Sequence, residues 1–217
     1  LTGPTGSGKT TLLNLLTRHY TPTEGVISVD GIPLNDIQDD ALRSGIGVVR
    51  QDVFMFEGTF AQNVSLDDPS ISRERIEEAI RVVGLEPLIR HREGGLDAPV
   101  EEGGRNLSAG EAQLLSMARI FVRDPCILLL DEATARIDSV TEVLVQSALE
   151  RLMARRTTLV VAHRLSTIES ADRILVLLDG QIVEEGVHEV LMNSGGLYAK
   201  MHQEKLFRLH SSESEVE

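Results

Sequence analysis

Gly3-Pro4-Thr5-Gly6-Ser7-Gly8-Lys9-Thr10 opens the chain and decides its fold. The stretch matches G-x-x-x-x-G-K-[ST], a glycine loop whose backbone N–H groups turn inward around phosphate oxygens. Directly after it, Lys9 to Tyr20 carries Leu12, Leu13, Leu15 and Leu16 at helical spacing. The loop therefore runs into a helix whose positive end faces the same place. Lys9 is placed to reach β- and γ-phosphates, and the Thr10 hydroxyl to ligate Mg²⁺, with Thr11 next in the first helical turn. The competing reading, a chance glycine-rich turn before a helix, arises in on the order of 1% of chains this long.

Outward from the loop, Val26 to Asp30 reads as a short strand with a turn at Asp30-Gly31, and Ile46 to Val49 as a buried strand ending at Arg50-Gln51. From there to about Asn106 the pattern is helical and more polar. Thr59-x-x-Gln62 is a capping box, Ser72 opens the amphipathic run Ile76, Ala79, Ile80, Val83, and paired glycines at 94–95 and 103–104 mark a loop. Glu111 to Val122 is a strong helix and Cys126 to Leu130 an apolar strand, with Cys126 expected as a small core residue. Ser139-x-x-Glu142 caps a helix to about Met153, and Thr158 to Ala162 is a strand. Ser166-x-x-Glu169 caps a short helix, and Ile174 to Leu178 and Gln181 to Glu185 form a hairpin at Asp179-Gly180. Alternating strands and helices imply a mostly parallel α/β sheet.

Composition narrows the function classes. The chain has 217 residues, 41% apolar and 25% charged, which is ordinary globular usage and excludes a collagen-like, coiled-coil or disordered chain. No stretch approaches the ~20 apolar residues of a membrane span. A net charge of −13 argues against non-specific nucleic-acid binding, which needs clustered Lys and Arg. The lone Cys126 excludes an internal disulfide and a Cys-based zinc site, and His188-Glu189 lacks a second His at zinc-protease spacing. A first residue, Leu1, that lies at the edge of a motif and is not Met suggests a fragment of a longer protein.

A second acidic signal joins the loop. Ile127-Leu128-Leu129-Leu130-Asp131-Glu132 is an apolar strand ending in two acids. In a parallel sheet, ligands collect at the carboxyl ends of strands. Asp131 there can hold the hydration shell of Mg²⁺, and Glu132 can take a proton from an attacking water. A buried strand with two solvated acids at its end is the plainer reading; the phosphate loop displaces it.

With these residues in place, the chain resembles the ATP-binding cassette (ABC) ATPases. Leu107-Ser108-Ala109-Gly110-Glu111 is similar to their LSGGQ signature and stands upstream of the Asp-Glu strand, as it does in that family. Gln51 sits where the family has its Q-loop glutamine, Ala135-Arg136-Ile137-Asp138 resembles the D-loop, and Val161-Ala162-His163-Arg164 the switch-histidine loop. The ordered match spans roughly Gly3 to Lys205. Gly58-Thr59-Phe60, Asn106-Leu107-Ser108, His163 to Thr167 and Gly195-Gly196-Leu197-Tyr198 resemble the exporter branch. Ser108-x-x-Glu111 is also a capping box, so a well-capped helix competes with the signature reading, and both can hold at once. The departures at Ala109 and Glu111 put a negative charge near the phosphate side unless Glu111 folds back onto the backbone.

The resemblance implies an α/β fold, a RecA-like P-loop NTPase core at 1–51 and 116–205, with an inserted α-helical subdomain at 52–115 and an acidic tail at 206–217. It implies ATP and Mg²⁺ as ligands, with Gly3, Pro4, Thr5, Gly6, Ser7, Gly8, Lys9, Thr10 and Thr11 cradling the phosphates. Ser108, Ala109, Gly110, Glu111 and Asp138 would complete the nucleotide site of a second nucleotide-binding domain, head to tail. Thr10, Gln51 and Asp131 would hold Mg²⁺, the last through water, and Glu132, His163 and Gln51 would act in hydrolysis. Glu102 is similar to a loop glutamate that exporters set against the transmembrane domain, although a solvated loop acid fits it equally. The expected partners are a second such domain and a transmembrane domain outside this chain, at the cytoplasmic face of the cell membrane, with no nucleic acid. The family's adenine-stacking aromatic precedes the P-loop, and no residue here matches it. A soluble DNA-repair or translation ATPase, a binding-only regulatory half, and a P-loop kinase are the alternatives. Exporter-like details, the presence of Glu132 and His163, and the signature weigh against them in turn.

Overall fold

The computed structural model describes residues 1–50, 52–131, 139–162 and 165–204, with the backbone alone at 139, 140, 165 and 166. The chain divides into two compact units, Leu1–Ile37 with Val160–Glu217, and Gln38–Leu159.

In the first unit, residues 1–3 run alongside a later strand, and the glycine loop leads into α1 (Lys9–Leu16). Its leucines explain the helix: Leu13 is buried while Thr10 and Thr11 face solvent. β1 (Ser28–Val29), shorter than the Val26 to Asp30 strand the sequence suggests, pairs antiparallel with β2 (Ile32–Pro33) across the expected Asp30-Gly31 turn.

The second unit begins with α2 (Asp39–Gly45) and β3 (Ile46–Val49). The stretch expected to be helical is broken by β4 (Gly58–Thr59), which pairs antiparallel with β5 (Pro99–Val100) and ties the two ends of the segment together. Between them lie α3 (Phe60–Ser65), α4 (Arg73–Val82) and α5 (Glu86–Arg90). Thr59 and Gln62 form the expected capping box, and the Ser72 hydroxyl accepts from the Arg75 N–H at 3.4 Å. α6 (Ala109–Arg123) buries Gly110, Gln113, Leu114, Leu115, Met117, Ala118 and Val122, one stripe at helical spacing. Each fully buried Leu there contributes roughly 1.5–3 kcal/mol relative to exposure. The helix stops at Asp124, in the left-handed region, followed by Pro125.

β6 (Ile127–Asp131) lies parallel to β3, with Ile46 opposite Ile127 and Val49 opposite Leu130. Its Leu128, Leu129 and Leu130 are buried, as a strand covered on both faces requires. Cys126 corrects the sequence reading: it is exposed, one position before the strand, with its thiol donating to the Gly45 carbonyl at 3.4 Å. The apolar run therefore begins at Ile127, and Cys126 belongs to the turn after Pro125. α7 (Ser139–Met153) buries Val145, Ala148, Leu149 and Leu152, and β7 (Thr157–Val161) completes the order β3-β6-β7. The cap expected from Ser139 lies outside the described side chains.

The first unit resumes with α8 (Leu165–Glu169), β8 (Ile174–Leu178), β9 (Gln181–Gly186) and α9 (His188–Ser194). α8 starts one residue before Ser166, so Ser166 lies inside the helix and not at its cap. The hairpin of β8 and β9 turns at Asp179-Gly180, as expected. Ala162, Ile168, Ile174, Val176, Leu191 and Tyr198 form the core of this part. Residues 197–204 are helical, and their first N–H groups, of Leu197 and Tyr198, donate to the Glu184 carboxylate at 2.5 and 2.9 Å. Among the described residues no helix is long and apolar enough to cross a membrane.

A candidate phosphate-binding site

The loop is built against β8. Thr2 bridges Val176 in parallel, its N–H donating to Leu175 O at 2.9 Å and its carbonyl accepting from the Leu177 N–H at 2.8 Å. This places Gly3 at the carboxyl end of an extended segment, the end at which parallel sheets present ligands. Gly3 has no room for a side chain: a Cβ would lie 2.1 Å from the Leu177 carbonyl oxygen, and φ is +150°. The loop then turns, with the Ser7 N–H donating to Pro4 O at 3.2 Å and the Gly180 N–H of the β8–β9 hairpin donating to Ser7 O at 3.0 Å. Pro4, Thr5 and Gly6 face solvent, and Ser7 is buried beneath them.

Gly8 is the N-cap of α1, at φ +101° and ψ 7°, and no side chain caps the helix. A non-glycine residue there would carry the left-handed penalty. The first turn of α1 holds no acidic residue, whereas α2, α4, α5 and α6 each have at least one in theirs. The positive end of its macrodipole therefore suits an anion from outside the helix. Lys9 is buried, its ammonium donating to Gly3 O at 3.0 Å, Pro4 O at 2.8 Å and Ser7 Oγ at 3.2 Å. The ammonium is held across the loop, joining Gly3 and Pro4 at its start to Ser7. A phosphate fits here: the helix end and the ammonium supply positive charge, and the ammonium's three donors, held now by the loop, can turn to phosphate oxygens.

The start of α6 is built differently. The Ser108 Oγ accepts from the Glu111 N–H at 3.2 Å, and the Glu111 carboxylate accepts from the Ser108 N–H at 2.8 Å. The capping box is complete, so Glu111 does fold back onto the backbone. Arg92 stands 3.5 Å from the same carboxylate and offsets its charge. Ser108 and Ala109 are exposed and Gly110 is buried, so the outer surface of this turn is open to another molecule. With its oxygen accepting from Glu111, the Ser108 hydroxyl still has a proton to donate.

Asp131 ends β6 and is half-buried. Gln51, Glu132, Asp138 and His163 lie outside the described residues. Glu102 is exposed, with Arg105 at 3.7 Å from its carboxylate. Sequence reasoning missed three supports. The Leu177 carbonyl makes Gly3 obligatory, and Arg92 neutralises Glu111. Arg119, the third, ties the loop after β3 to α3, donating to Phe54 O and Asn63 O, both at 2.6 Å. Burial, and then the nearby charge of Arg123, pull the Arg119 guanidinium down to about 10. None of these partners lies at a fixed spacing that a motif could carry.

A family profile described as ABC transporter matches residues 1–135. The chain is 49% identical over 211 residues to the probable multidrug resistance ABC transporter ATP-binding/permease protein YheH of Bacillus subtilis, covering 97% of this chain and 31% of that protein. It is 52% identical over 203 residues to the ATP-dependent lipid A-core flippase of Burkholderia orbicola, covering 94% of this chain and 34% of that one. A bacterial Atm1-family ABC exporter solved with ATP bound has a TM-score of 0.85 and 39% identity over 94% of this chain and 36% of its own. The chain thus spans about a third of the length of these relatives. An α/β fold with a phosphate loop at the head of an uncapped helix, a self-capped signature turn and this extent of likeness lead to one conclusion: the chain belongs to the ABC transporter family and is an ATPase domain of it.

Proposed function

We propose that this domain binds Mg-ATP, hydrolyses it, and so drives export as the ATPase part of a longer ABC exporter at the cytoplasmic face of the cell membrane. The observation that carries the reading is the uncapped first turn of α1, with the buried Lys9 ammonium held across the loop beside it. Gly3 to Thr11 supply the phosphate cradle. Thr10, Gln51 and Asp131 are the residues to hold Mg²⁺, Asp131 through water; the ion, when bound, supplies charge neutralisation at the phosphates. Glu132 accepts the proton of the attacking water, and His163 and Gln51 align it. Ser108 to Glu111, with Asp138, serve the nucleotide of a second nucleotide-binding domain, head to tail.

In domain terms, 1–51 and 116–205 form the P-loop core and 52–115 the helical subdomain, with 206–217 as an acidic tail. Export, in place of a soluble role, is supported by the relatives, which are named as permease and flippase proteins. The exposed pair Phe54 and Phe56, whose rings meet edge to face at 5.1 Å, suits docking of the membrane-spanning part.

Glu132→Gln tests the catalytic half of the reading. Gln keeps the size of the side chain but cannot take a proton, so turnover should fall ~10²–10⁴-fold with ATP binding retained. Steady-state hydrolysis and equilibrium binding measured together decide it. Near-normal hydrolysis would remove Glu132 from the chemistry.

A further inference from the structure

The first unit holds a cluster of side chains that the nucleotide chemistry does not use. Glu169 at the end of α8, His188 at the start of α9 and His202 in the helical residues 197–204 each bring one ligand atom to within 4.8 Å of the others. We propose that these three side chains bind a divalent transition-metal ion of the zinc class. Two imidazoles and one carboxylate are the donor set that zinc and its first-row neighbours share, and magnesium and calcium disfavour.

The surroundings fit a ligand set. His188 Nδ1 lies 2.7 Å from the Tyr198 hydroxyl. With the Nδ1 proton on that oxygen, Nε2 carries the lone pair a metal needs, and the tyrosine fixes the ring's orientation. His202 is 7% exposed, and its ring centroid stands 5.1 Å from that of His188. Its Nε2 is 2.7 Å from Glu169 Oε1, while its Nδ1 is buried with no hydrogen-bond partner among the described residues. Nδ1 carries the ring's proton when Nε2 gives its lone pair to an ion shared with Glu169. Glu169 is exposed and His188 half-buried, so an ion can enter from solvent. On binding, the ion replaces the proton shared by His202 Nε2 and Glu169 Oε1, and that proton leaves to solvent. The ligand atoms then draw closer to reach bond lengths of about 2.0–2.2 Å. The occupied site would fasten α8, α9 and residues 197–204 together.

The test uses the untagged 217-residue chain. Co²⁺ is titrated while its visible ligand-field absorption is recorded, and Zn²⁺ is titrated by calorimetry against a competing chelator. Wild type should bind one ion with a cobalt spectrum of tetrahedral or five-coordinate type. His188→Ala, at a half-buried position, should weaken binding by roughly 10–100-fold or more, since even outer-shell partners of a metal contribute that much. Tyr198→Phe should weaken it by roughly 10-fold while keeping the packing of the ring. His202→Ala is read only alongside far-UV circular dichroism, because the residue is buried; if that variant does not fold, His188→Ala alone decides between the outcomes. Zinc should raise Tm in wild type and leave His188→Ala unmoved. No binding by wild type, or equal affinity in His188→Ala, would overturn the site.

Discussion

Two helix starts, those of α1 and α6, carry the family's most recognisable motifs, and they solve the same problem in opposite ways. Every helix leaves its first N–H groups without intrahelical partners. At α6 the chain supplies the partners itself: Ser108 and Glu111 bond each other's backbone, and Arg92 offsets the acid. At α1 no side chain caps the helix; the N-cap is a glycine in the left-handed region and the first turn has no acid. A capped start is stable by itself and presents a surface. An uncapped start beside a lysine is stabilised by an anion. On this view α1 heads a phosphate site in its own right, and α6 completes a site without depending on it for its fold.

The largest structural contrast should come from the glycines of the loop. Gly3→Ala drives a Cβ into the Leu177 carbonyl, whereas a Cβ at Gly6 meets nothing within 4 Å. Gly3→Ala should cost about 2–4 kcal/mol from the clash and strain together. That lowers Tm by about 5–15 °C in a domain this size. Gly6→Ala is penalised only for its φ of +82°, about 1 kcal/mol. Thermal melts of the two variants would sharpen the contrast, and equal losses would break it.

Next in size is the cap of α6. Ser108→Ala removes the acceptor of the Glu111 N–H and should cost about 1 kcal/mol, a Tm fall of about 2–4 °C. Ser108→Gly should cost only a few tenths of a kcal/mol, because glycine is tolerated at an N-cap. The smallest effect belongs to Glu111→Gln. Glutamine keeps the capping box and loses only the half-exposed pair with Arg92, worth about 0–1 kcal/mol. Its Tm should stay within about 4 °C of wild type. A larger fall would show that Arg92 and Glu111 hold the signature turn more firmly than an ion pair of this exposure can.

What is legible in the sequence follows from how local each feature is. The phosphate loop and the caps at Thr59, Ser72 and Ser108 are complete within a few residues, so their spacing carries their structure. The break in the helical region by β4 and β5 is not legible, because pairing Gly58 with Val100 is a long-range event between short, weakly patterned segments. Cys126 is misplaced by its apolarity, which does not mark where a strand begins. The clash that fixes Gly3 and the grouping of Glu169, His188 and His202 depend on helices and strands meeting in space. Gln51, Glu132, Asp138 and His163 are expected from their order in the motif series, and their proposed roles rest on that order alone.

The difference between the two helix starts is tested most directly by equilibrium binding of Mg-ATP to single chains, at concentrations where they do not pair. Lys9→Ala removes the buried ammonium and its charge-assisted bonds to phosphate, a loss of about 2–4 kcal/mol, or about 30- to 900-fold in Kd. Ser108→Gly should leave Kd within about two-fold of wild type, since the signature turn would serve the nucleotide of another chain. That pair of results is what an open phosphate site at α1 and a self-capped partner surface at α6 require. Unchanged affinity in Lys9→Ala, or an equal loss in Ser108→Gly, would contradict it.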